Sequence, residues 1–153
     1  MPRESNWSLL VVALAFLDGA VSGLRVNLGV LLTSVFGLPM SAVGASFGVV
    51  SALDLLFSPV GVAVAGYLWG TRADVAARYR QFGLRVTGAV VAGFVAFNLL
   101  SAGLVVAERD PGYLVKVAVD WLFALGLLGV PLIAVGSAAI GQFRTDQSAG
   151  PGE

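Results

Sequence analysis

Neither cysteine nor histidine occurs among the 153 residues. Without cysteine, no disulfide, thiolate nucleophile, zinc–thiolate site or iron–sulfur cluster can form within the chain. Without histidine, His-ligated haem, His-based metal sites and Ser-His-Asp triads are excluded as well. Charge is also scarce: 12% of residues are charged, against about 25% in an ordinary soluble domain. The formal net charge is zero, so nothing in the sequence points to nucleic acid or another polyanion as a partner. A few carboxylates, arginines, one lysine and three tyrosines remain for acid–base or ion chemistry. No enzyme activity, metal or cofactor is expected from such a set.

Apolar residues are abundant. They make up 58% of the chain, and the mean hydropathy is +0.90. Water would leave much of that surface uncovered, whereas lipid needs no polar coat. A helix needs about 20 apolar residues to cross the roughly 30 Å of a hydrocarbon core. The pattern predicts an all-α, polytopic transmembrane helical bundle with spans at about 7–34, 42–69, 86–107 and 113–141. This length suits a single bundle with no second domain. Gly37-Leu38-Pro39-Met40-Ser41 reads as the first turn, with Ser41 as helix cap, and Pro59 as a kink in the second span. Glu108-Arg109-Asp110-Pro111-Gly112 is another turn. Within 71–85, Val75, Tyr79 and Phe82 lead on to Val86 at helical spacing, which predicts a short basic amphipathic helix lying on the membrane surface. The segment 142–153 reads as a disordered polar tail.

Basic residues set the expected orientation. Arg3, the loop arginines Arg72, Arg78, Arg80 and Arg85, and Arg144 share one side; Arg109 and Lys116 share the other. The positive-inside rule then places both termini in the cytoplasm of a multi-pass cell-membrane protein. Arg3, the apolar stretch 9–17 and Ala20-Val21-Ser22 loosely resemble a signal peptide as an alternative. Against that, apolar residues resume after Arg25 and continue to Leu38.

Charges inside the spans carry most of the functional information. Each costs about 2.5–3.5 kcal/mol at the bilayer centre on insertion scales. In span one, Asp18, Ser22, Arg25, Gly29 and Thr33 form one polar and small stripe. In span two, Gly44, Gly48, Ser51, Asp54, Ser58 and Gly61 form another. The two stripes are expected to bury against each other, since lipid cannot hydrogen-bond them. At 1.5 Å per residue, Asp18 lies about 16 Å from the Trp7 level, Asp54 about 22 Å from the Trp69 level and Arg25 about 27 Å from the Trp7 level. A buried Asp18–Arg25–Asp54 cluster follows. It would hold an ion or proton, or serve only to neutralise charge and fix helix register.

Other polar residues read as packing contacts. Lys116 and Asp120 are one turn apart and pair locally, while Asn98 with Ser101 could bond across helices. Gly19-x-x-x-Gly23, Gly44-x-x-x-Gly48 and Gly66-x-x-x-Gly70 match the small-residue motif for close helix contact; whether span one is continuous past Gly23 is left open. Gly44-Ala45-Ser46-Phe47-Gly48 fits a nucleophile pattern, but it sits in a predicted span of a chain without a histidine base. The expected role is a structural or accessory subunit of a membrane assembly, whose partners are the lipid bilayer and either further copies of itself or other membrane subunits. Arg72, Arg78, Arg80 and Arg85 are placed to meet lipid headgroups. The alternative is a small ion or proton transporter or channel using Asp18, Asp54 and Arg25.

Overall fold

The computed structural model describes residues 2–105, 112, 115, 119 and 129–148. Among these residues the chain is all helical and contains no strand. Three stretches, Asn6–Val35, Met40–Gly70 and Val75–Ser101, are long and apolar enough to cross a membrane. The fourth expected span falls partly outside the described residues, as do Lys116 and Asp120.

Helix α1 covers Pro2–Val30 and widens into a π-helical turn over Leu31–Val35. It passes Gly23 without a break. Gly37 ends it in the left-handed region, at φ +63°, where a residue with a Cβ is disfavoured. That conformation lets the Leu38 N–H reach the Leu32 carbonyl at 2.8 Å. Helix α2, Met40–Leu55, starts next. Its cap is Pro39, whose carbonyl accepts from the Ala42 and Val43 N–H groups. Ser41, expected in that role, lies inside the helix because the extended backbone a cap requires is already fixed at Pro39.

The second apolar stretch kinks at the expected place, and the kink is a break between two helices. Leu56–Gly61 forms a wide turn in which Ser58 is extended, at φ −140° and ψ 133°, before a cis peptide to Pro59. Proline lacks an N–H and drives the residue before it out of the helical region. Helix α3, Val62–Gly70, resumes beyond the break.

Helix α4 runs unbroken from Val75 to Val105. The basic segment is helical from Val75 and runs without a break into the third long helix, of which it supplies the first turns. Asp74 caps this helix, accepting the Ala77 N–H at 3.1 Å. The Val75 N–H is taken by the Gln142 side chain at 3.0 Å. These bonds satisfy two of the donors a helix start leaves unpaired, and no glycine or proline divides Arg85 from Val86. Helix α5, Gly129–Ser148, also exceeds its expected end at Gly141. Gln142 is anchored to α4, and the Thr145 hydroxyl donates back to the Gly141 carbonyl at 3.0 Å.

Two helix pairs make the bundle, each built on glycine. α1 and α4 run parallel: a Cβ at Gly19 would lie 2.1 Å from the Val90 carbonyl oxygen, and one at Gly93 2.1 Å from that of Phe16. α3 and α5 also run parallel, with Gly66 against Ala134 and Gly70 against Ala138. The pairs meet in a core that includes Val11, Val62 and Val86, all fully buried, and Ala134 and Ala138. Trp69 stacks on Phe82 at 4.1 Å, and Arg72 lies over the Trp7 ring at 5.3 Å. α2 stands outside this arrangement. Only 6% of the apolar window in Met40–Gly70 is buried, against 39% in Asn6–Val35.

Candidate functional site

The intrahelical charges converge where α1 faces α2. Asp18, Ser22 and Arg25 recur at steps of one turn on α1, so they share a face. Asp54 comes from the last turn of α2, one turn before the backbone leaves the helix at Ser58. Its carboxylate receives both neighbours: the Arg25 Nη1 lies 3.6 Å from Oδ2, and the Ser22 hydroxyl donates to Oδ1 at 3.4 Å. The Asp18 carboxyl, 7% exposed, lies against that of Asp54. The pair itself is half open, with the Arg25 and Asp54 side chains 32% and 24% exposed.

Two carboxyls thus stand against one guanidinium. With all three ionised the cluster carries one excess negative charge, which a proton or a monovalent cation would neutralise. The Arg25–Asp54 contact also ties α2, which has little other packing, to the bundle. The Ser46 hydroxyl lies apart from the cluster and donates to the Ala42 carbonyl within its own helix at 2.9 Å.

A second polar group lies farther along α1, on its α4 side. The Asn27 amide donates to the Ser101 hydroxyl at 2.8 Å, and that hydroxyl donates to the Asn98 carbonyl oxygen at 2.9 Å. Asn27, Asn98 and Ser101 are all buried, and the Asn98 Nδ2 finds no partner among the described residues. Asn27 was not among the residues the sequence singled out. The signal was nonetheless there: Asn27 follows Gly19 and Gly23 at four-residue steps, on the face that contacts α4.

The remaining candidates do not join the cluster. Ser51 and Ser58 are half-buried and make no side-chain hydrogen bond among the described residues. Gly44 and Gly48 are exposed and meet nothing within 4 Å among the described residues, so there the two stripes meet through their polar members. Arg72 bonds the Leu68 carbonyl at 2.9 Å and covers Trp7, whereas Arg78, Arg80 and Arg85 line the exposed side of the first turns of α4.

The fold and site define a helical bundle with membrane-length apolar helices and a half-open ion pair on its least-packed helix. No protein-family model, curated protein or solved structure matches this chain.

Proposed function

We propose that the chain is an integral membrane subunit that works in an assembly, with a further membrane helix seated on α2. That helix comes from a second copy or from another subunit. The ends of α1 and α5 and the Arg-bearing turn lie in the cytoplasm on this reading. The observation that carries it is the half-open Arg25–Asp54 pair on the same helix as the exposed Gly44 and Gly48. Pairing lowers the cost of these charges in a bilayer but does not remove it while either side chain faces lipid. A second helix would cover the pair, and glycines at four-residue spacing let backbones approach closely. Gly44, Gly48 and Ser51 lie next to Asp54 around α2, so one docking helix would meet all four.

The test is gentle extraction from native membranes, followed by the mass of the intact complex and identification of co-purifying chains. A complex containing more than this one polypeptide is expected. A lone monomer overturns the proposal.

A second reading, passage of protons or small cations, is favoured by Asp18. It gives the cluster a carboxyl that Arg25 does not pair, beside an interrupted helix of the kind found at transporter sites. Flux into reconstituted vesicles should then fall with Asp18→Asn and with Asp54→Asn. Flux that survives both substitutions removes this mechanism.

A further inference from the structure

A groove of about 780 Å³ runs along the outer seam of α1 and α4. Its floor and walls are apolar, formed by Val12, Ala13, Leu17 and Ala89. Phe16 closes the inner end, held edge-to-face against Phe97 at 6.5 Å. Ser8 and Arg85 form the other end. The groove exists because the helices touch through Gly19 and Gly93 farther along, while small alanines line the seam here.

Arg85 is exposed and has no carboxylate partner among the described residues. The Asn27–Ser101 contact fixes the register of the parallel helices, and counting back along both places Arg85 beside Val11. That is one helical turn inward from Trp7, the residue that marks the interface. An arginine at this depth extends its stem toward the surface and keeps its head among phosphates.

We propose that this seam is a binding site for an anionic phospholipid, with one acyl chain in the groove and the phosphate on Arg85. The proposal rests on the membrane-spanning reading above. Charge and shape single out this ligand together: an unpaired guanidinium at headgroup level stands at the mouth of an apolar slot about two turns long. The other exposed arginines of α4 have no such slot beside them among the described cavities.

The test uses the full chain reconstituted in nanodiscs of equimolar phosphatidylcholine and phosphatidylglycerol. Lipids retained on release are counted by native mass spectrometry. One phosphatidylglycerol should be retained with about a five-fold preference, the Boltzmann factor of one arginine–headgroup attraction. Arg85→Gln should abolish the preference, and Ala13→Trp, which fills the slot, should release the lipid itself. Arg80→Gln removes the same charge away from the groove and should change neither. Equal loss in Arg80→Gln and Arg85→Gln would overturn the site in favour of diffuse attraction, and so would retention unaffected by Ala13→Trp. Resistance of the wild-type chain to alkaline extraction from membranes tests the spanning reading separately, whatever the lipid count.

Discussion

Asp54 accepts from Ser22 and pairs with Arg25, so removing the guanidinium leaves two neighbouring carboxyls without a countercharge. Arg25→Leu should therefore destabilise the bundle by more than the ~1 kcal/mol of an exposed pair, and by less than the 3–5 kcal/mol lost when a fully buried pair is broken. Thermal melting beside Arg80→Leu, which breaks no ion pair among the described residues, checks this, and equal melting of the two variants would count against the cluster. The Asn27–Ser101 bond should show a coupling of about 0.6–1.7 kcal/mol in a double-mutant cycle of Asn27→Ala and Ser101→Ala. Zero coupling would mean that the bond does not hold α1 to α4. The charges of the site were legible because an ionised group inside an apolar run stands out by its cost alone. Counting along the spans put Asp54 between Asp18 and Arg25, and in the fold it accepts from Ser22, which lies between those two on α1. Asn27 was not legible in the same way. An amide costs less than a charge, and its partner lies 74 residues away in the chain.

At the scale of the elements, the three glycine pairs read alike in sequence but behave differently in the fold. Gly19 and Gly23 seat α4, Gly66 and Gly70 seat α5, and Gly44 and Gly48 touch nothing within 4 Å among the described residues. Gly93→Leu should cost at least the 1–3 kcal/mol typical of an overpacked core, because a backbone carbonyl occupies the space and cannot rotate away. Gly88→Leu, on the same helix but in open space, should leave stability within about 0.5 kcal/mol of the wild type. Denaturation of the two variants under one condition decides the matter. Spacing could not tell the three pairs apart, since it reports which face a residue is on and not what that face meets. The start of α4 was hidden for a related reason. Four arginines interrupt the hydropathy signal over 71–85, whereas the helix is set by Asp74, whose carboxylate caps it. Asp74→Ala should cost about 1 kcal/mol, the usual value of a lost N-cap, seen as a lower melting temperature. The break at Ser58–Pro59 was partly legible: proline predicts a fault in a helix but not whether the backbone bends or leaves the helical region.

At the scale of the whole molecule, the packing is uneven. α1, α3, α4 and α5 share a core, whereas among the described residues α2 buries Val43 alone and meets α1 through Phe47 beside Gly29 and the polar contacts of Asp54. A helix so placed is consistent with a bundle that is completed by another chain. The membrane-length apolar helices were legible from hydropathy, but the exposure of the glycine face of α2 was not, because a sequence pattern assumes that every small stripe has found its partner. The most direct measurement is the mass of the complex in native nanodiscs for the wild type, Gly44→Leu and Gly88→Leu. Both substituted glycines are exposed and meet nothing within 4 Å among the described residues, so neither should unfold the monomer. The account predicts a wild-type complex of more than one chain that survives Gly88→Leu and falls to the single chain in Gly44→Leu. A wild-type chain that is already alone, or a complex indifferent to Gly44→Leu, would contradict it.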